Sequence, residues 1–202
     1  PHAKNALRNE AYGERMVGPV LSESEYLSRQ SAFLGQLPED SLVLIPTNPV
    51  AYRSNDTAYP YRANSYMLYL CGWSEPEAVL MAHQDETEWV TTLFVQPSDT
   101  KAELWEGRRV GAEGAESGWP VDRARSLTEL SDCVSELLDD CESVYHLHDL
   151  NPELDELVSR AQGVELVDPT TALDDMRVIK SDAEVALIQQ SSNIASEAHI
   201  AA

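Results

Sequence analysis

Apolar positions recur at helical spacing at both ends of the chain and in short unbroken runs through its middle. Ser22 and Glu25 stand as a capping box ahead of Tyr26, Phe33, Leu34 and Leu37, and Pro38 stops the run, which predicts an amphipathic helix. Ser41 to Ile45 is a continuous apolar stretch of strand length ended by Pro46, the pattern of a central strand buried on both faces. Tyr66 to Cys71, Ala78 to Met81 and Trp89 to Val95 read as three further strands, paired as a hairpin or meander around an acidic turn at Gln84 to Glu88. Lys101 to Glu106 reads as a short helix or loop. Gly107, Gly111, Gly114 and Gly118 then punctuate a long connection that Trp119 and Pro120 close.

Beyond that connection the helical period returns. Leu127, Leu130, Val134, Leu137 and Leu138 form one face of a surface helix over Ser126 to Asp140. Ser143 to Leu147 predicts a strand, Pro152 to Arg160 a helix opened near Asn151, and Val164 to Val167 another strand. Strands alternating with helices imply an α/β layer structure. Ser181 with Glu184 makes a second capping box, and the helix it opens has no stop signal before Ala202. The chain is expected to end inside an element, as a shortened or processed piece of a longer protein, with a domain boundary between Lys180 and Ser181.

Charge narrows the partners. The 202 residues carry 35 acidic and 14 basic side chains, a formal net charge of -21. Such a surface repels nucleic acid phosphates and anionic membranes, both of which call for a basic footprint. Lysine occurs only at Lys4, Lys101 and Lys180, a balance equally suited to a salt-rich habitat and to an ordinary acidic cytosolic protein. Cys71, Cys133 and Cys141 have neither paired spacing nor an even count, so no disulfide framework is expected. No apolar run is long enough to span a bilayer, and residues 1–20 lack a secretory apolar segment and read as an irregular lead-in.

The densest chemistry lies in SNDTAYPYRANSYMLYLCGWSEP, Ser54 to Pro76, where Tyr59, Tyr61, Tyr66 and Tyr69 accompany Asp56, Arg62, Asn64 and Ser65. A buried tyrosine needs a partner for its hydroxyl, so the stretch predicts a hydrogen-bonded polar seam. His146 and His148 lie two apart in YHLHD, which puts both imidazoles on one face of a strand with Asp149 adjacent. A metal site requires a third ligand in defined geometry. None is suggested, so they read as polar histidines at a strand end.

The stretch from Ser54 resembles the Xaa-Pro aminopeptidases (aminopeptidase P) of the prolidase and creatinase group. That family's pattern runs close to S-x-D-x-x-Y-P-Y-R-x-N-S and then G-x-x-E-P, here Ser54, Asp56, Tyr59, Pro60, Tyr61, Arg62, Asn64, Ser65, Gly72, Glu75 and Pro76. AELWEGRR from Ala102 to Arg109, then Val110 and Gly111, agrees as well, as do Val144-Tyr145-His146 and Met176-Arg177 with Ile179-Lys180-Ser181 leading into Glu184. The likeness spans residues 21 to 202, and the Tyr59 and Trp105 motifs look more like aminopeptidase P than prolidase or creatinase.

The resemblance implies a creatinase-type N-terminal domain over residues 21–180, with a ribonuclease H-like mixed sheet flanked by helices, and the start of a pita-bread catalytic domain over residues 181–202. It implies that two divalent ions of the manganese class and all catalytic residues belong to that further domain, because Asp182, Glu184, Glu197 and His199 are strung along one helix and cannot alone enclose two cations. It implies that Trp105, with Arg108 and Arg109, borders the substrate entrance of a neighbouring subunit. Asp56, Tyr59, Tyr61, Arg62 and Asn64 would support the seam against the catalytic domain from outside the metal site. The implied partners are the chain's own catalytic domain, further copies in a dimer or tetramer, and peptides with proline second. Location would be cytoplasmic, with mitochondria open. The competing class is a peptidase-like module that binds proteins without catalysis, for which acidic charge suits basic partners.

Overall fold

The computed structural model describes residues 18–202, so nearly all of the expected lead-in lies outside the described residues. In chain order the elements are α1 (Glu23–Leu34), β1 (Ser41–Pro46), β2 (Tyr52–Ser54), β3 (Thr57–Ala58), α2 (Ser65–Leu70), β4 (Val79–Asp85) and β5 (Glu88–Val95). There follow α3 (Thr100–Glu106), α4 (Gly111–Gly118), β6 (Arg123–Ser126), a 3-10 turn (Leu127–Glu129), α5 (Leu130–Leu138), β7 (Ser143–His146), α6 (Pro152–Ser159), β8 (Glu165–Val167), α7 (Thr170–Val178) and α8 (Asp182–Ala201).

Six strands form one sheet in the order β6-β5-β4-β1-β7-β8. Only β4 runs against its neighbours; β1 with β7, β7 with β8, and β5 with β6 are parallel. The sheet is thus mixed and flanked by helices, as expected. β1 is central and buried at every position, because its alternate side chains face two cores. Val43 and Ile45 join Phe33, Met67, Trp73 and Leu173 on one face. Leu42 and Leu44 join Phe94, Val134, Leu154 and Val158 on the other, under α5 and α6. The hairpin of β4 and β5 closes through Glu86 and Thr87, with Asp85 opposite Glu88.

Two sequence expectations are corrected. Ser65–Leu70 is a helix rather than part of a strand. So short a run, apolar but for Ser65, carries no decisive period, and the choice falls to Asn64, whose side chain accepts the Met67 N–H at 2.8 Å and caps the first turn. The helix ends at Gly72, whose φ of +70° a β-carbon would strain, and a β-carbon there would also lie 2.7 Å from the Tyr26 hydroxyl. The glycine-punctuated stretch is likewise not one long connection, since Gly111–Gly118 is helical and buries Ala115. The β2–β3 hairpin, β6 and α7 carry too few apolar positions to stand out in the sequence.

Cys71 closes α2 fully buried, and burial pushes its thiol up to about 12. Because the thiolate is the reactive form, brief alkylation of the native protein should label the half-buried Cys133 and Cys141 and leave Cys71 intact until denaturant is added. Peptide mass spectrometry reads this directly, and equal labelling of Cys71 would contradict the packing.

Candidate functional site

The structure divides the tyrosine-rich stretch into an exposed tip and a buried root. Asp56 sits in the turn between β2 and β3, exposed, with Thr57 Oγ1 3.4 Å from its Oδ1. Tyr59 is exposed too, its backbone N–H bonded to the Ala51 carbonyl at 2.8 Å. Below them, Asn48 clamps the chain: its amide donates to the Arg62 carbonyl at 3.1 Å, and its own carbonyl accepts the Tyr61 hydroxyl at 3.1 Å. Burial raises the Tyr61 pKa, so the hydroxyl remains a donor. Arg62 folds back on the start of α2, reaching the Ala63 carbonyl at 3.1 Å and Ser65 Oγ at 3.3 Å. Asn64 is the buried root, capping α2 while donating to the Pro46 carbonyl at the end of β1.

The expected pairing of these tyrosines with Asp56, Arg62, Asn64 and Ser65 is therefore corrected. Tyr66 donates to Asp174 Oδ1 at 3.1 Å and Tyr69 to the Met176 carbonyl at 3.2 Å, both on α7. Helical geometry is the reason: residues three apart share a face, so Tyr66 and Tyr69 turn together toward α7 while Met67 and Leu70 enter the core.

The AELWEGRR stretch is a built projection. Asp99 caps α3 by accepting the N–H groups of Lys101 at 2.8 Å and Ala102 at 3.3 Å, which hold its carboxyl below the ordinary range. Glu103 Oε1 reaches back to Ser98 Oγ at 2.6 Å and to the Asp99 N–H at 3.2 Å. Gly107, at φ +92°, breaks the helix, and Arg109 returns to the Pro97 carbonyl at 3.1 Å. Glu75 of the G-x-x-E-P motif takes the Val110 N–H, 3.3 Å from each carboxylate oxygen, so the two motifs meet. This frame leaves Trp105 91% and Leu104 82% exposed. Arg108 is exposed and Arg109 half-buried.

A third locus ties the last helix to the domain. Arg29 on α1, buried, bonds Glu25 at 2.9 Å and the Tyr69 carbonyl at 3.1 Å, lies 3.6 Å from Glu184, and stacks 4.3 Å over the Tyr69 ring. Ser181, the cap of α8, donates to Glu25 at 2.6 Å. That donation, ahead of the Arg29 contact, holds the Glu25 carboxyl below its ordinary value. Sequence reading named Glu25 only as a capping residue and missed Arg29, because its partners are far away along the chain.

The acidic and histidine side chains of α8 do not converge. Among the described residues, the one trio of metal-ligating type whose ligand atoms gather is His146, His148 and Asp155. The third member comes from α6 and was not legible next to the histidines. Asp182, Glu184, Glu197 and His199 are not part of that trio.

A family model described as aminopeptidase P, N-terminal domain, matches residues 26–163. The Xaa-Pro aminopeptidase of Haemophilus influenzae is 33% identical over 184 residues, which cover 90% of this chain and 43% of that protein. That of Escherichia coli is 34% identical over 193 residues, 89% of this chain and 44% of that protein. Among solved structures, proline aminopeptidase P II from Yersinia pestis superposes with a TM-score of 0.80 at 35% identity, over 89% of this chain and 44% of that one. Zinc-substituted E. coli aminopeptidase P in complex with product gives 0.81 at 33% identity, with the same coverage. The chain thus spans less than half the length of these relatives.

Proposed function

The chain belongs to the aminopeptidase P N-terminal domain family, and on that premise we propose that it is the accessory domain of a metal-dependent Xaa-Pro aminopeptidase, a hydrolase that releases an N-terminal residue preceding proline. Residues 21–180 are the accessory unit and α8 opens the catalytic domain, which carries two divalent ions of the manganese class. The chain alone is inactive. Trp105 carries the reading: an indole 91% exposed on a capped, glycine-terminated helix does not pack into its own domain, and its flat apolar face suits a proline ring. Presented to a neighbouring subunit of a dimer or tetramer, Trp105 and Arg108 shape the substrate entrance, with Arg109 holding the loop. Asp56 and Tyr59 at the tip, and Tyr61, Arg62 and Asn64 behind them, support the contact with the catalytic domain. No helix among the described residues is long and apolar enough to cross a membrane. On the family reading the protein is placed in the cytoplasm, with mitochondria as the alternative.

In the complete enzyme, Trp105→Ala should lower kcat/KM for a peptide with proline second about tenfold, or about 1.4 kcal/mol of transition-state stabilisation. The melting temperature should stay put, since so exposed a side chain contributes little to the fold. Unchanged kinetics would remove the entrance role. Metal-dependent turnover by the 202 residues alone would overturn the assignment as an accessory domain, while a complete protein without turnover would favour the protein-binding module.

A further inference from the structure

His146 ends β7 with no solvent exposure, and both of its ring nitrogens face oxygen acceptors. Nδ1 lies 3.4 Å from the Leu44 carbonyl and Nε2 2.6 Å from Asp155 Oδ1. A neutral imidazole has one N–H and serves one acceptor. One acceptor therefore faces a nitrogen lone pair, an arrangement that a bound cation resolves.

The surroundings are organised for such a cation. Asp155 Oδ2 accepts the Asp149 N–H at 3.1 Å, so Oδ1 is turned toward the histidines, and Asp149 takes a φ of +66° to do so. His148 Nδ1 lies 3.7 Å from the same Oδ1, and its ring stands edge-on to His146 with centroids 4.6 Å apart. The ligand atoms of the three residues all fall within 4.8 Å of one another. His148, at 46% side-chain exposure, opens the cluster to solvent.

We propose that His146 Nε2, His148 Nδ1 and Asp155 Oδ1 bind one divalent transition-metal ion of the zinc class. Two imidazoles and a carboxylate match that ion's preferences and leave a coordination position for water. Metal bonds of about 2.0–2.2 Å place tetrahedral ligand atoms about 3.3 Å apart, so the 2.6 Å pair opens and the 3.7 Å pair closes by less than 1 Å each, while the two histidine nitrogens, within 4.8 Å of each other, close by up to about 1.5 Å. The half-exposed His148 side chain has the freedom to turn. With the ion bound, Nδ1–H of His146 donates to Leu44, the outer hydrogen bond that orients most metal-bound histidines. The ion pins the first turn of α6 to the ends of β1 and β7.

Zinc titrated into the metal-stripped 202-residue chain, followed by calorimetry, should bind one equivalent, and cobalt should develop the visible absorption of a tetrahedral site. His148→Ala and Asp155→Asn should each weaken zinc binding at least tenfold, and zinc should raise the melting temperature of the parent but not of the double variant. His148→Ala keeps the buried His146 in place, and circular dichroism of each metal-free variant confirms the fold. No stoichiometric zinc binding would overturn the site. So would zinc retained at parental affinity by the double variant, which would place the ion elsewhere.

Discussion

Arg29→Met is expected to lower the unfolding free energy by about 2–3 kcal/mol and to loosen the start of α8. Methionine keeps an unbranched apolar stem but removes the guanidinium fork and with it the stacking over the Tyr69 ring. Glu25 and Glu184 then face each other without the cation between them, and the Tyr69 carbonyl loses its donor. Removing one partner of a buried ion pair costs about 3–5 kcal/mol. The two carboxylates here keep 23% exposure each, so water recovers part of that. At about 2–4 °C per kcal/mol for a protein of this size, melting should fall by about 5–10 °C, and amide exchange in the first turn of α8 should quicken. Arg29→Lys should fall between, since it keeps charge without the planar fork. A methionine variant within about 0.5 kcal/mol of the parent would show the cluster to be inert.

The same cluster sets an acid dependence. The folded Glu25 carboxyl titrates below its ordinary value of 4.5, through the Ser181 donation and then Arg29. Its contribution is fully present above 4.5 and is lost as pH falls through the lower folded value. The stability gap between parent and Arg29→Met should therefore narrow as pH drops below 4.5. A constant gap would mean that packing rather than charge carries the effect.

Asn64→Ala is expected to cost about 2–4 kcal/mol. Loss of the cap on α2 accounts for about 1 kcal/mol, and the Pro46 carbonyl, left buried without its amide donor, for about 1–3 more. Asn64→Ser restores an acceptor for the Met67 N–H but is too short to reach Pro46, and should recover only the capping part. Asn64→Asp keeps the cap yet sets a carboxylate oxygen against the Pro46 carbonyl, and should be no better than alanine. Denaturant midpoints rank the three, and a serine variant at or below alanine would contradict the division. Because Asn64 fastens α2 to the end of β1, this single side chain also fixes the base from which the Asp56 tip projects.

How much of this was legible turned on whether a residue's partner lay nearby in sequence. The cap and Glu184 of α8, the start of α6 at Asn151, the double burial of β1 and the β4–β5 hairpin are local signals, and the structure has each of them. The capping box at Ser22 is only half realised: Ser22 accepts the Glu25 N–H, but the Glu25 carboxylate turns to Arg29 and Ser181. α2 was misread because its short apolar run fits two periods, and the tyrosine partners because they sit on α7, about a hundred residues away.

By itself, the sequence determined the layered α/β class, the central strand and the family, since periodicity, caps and a long motif act over a few residues at a time. It also marked Trp105 as a residue apart. Only the tertiary structure decided that Trp105 stands in solvent rather than in the core, that Arg29 is the tie between α1, α2 and α8, and that Asp155 completes a trio with His146 and His148. Those outcomes depend on which helices the sheet order brings together. Burial and convergence are properties of packed surfaces, and no stretch of chain carries them alone.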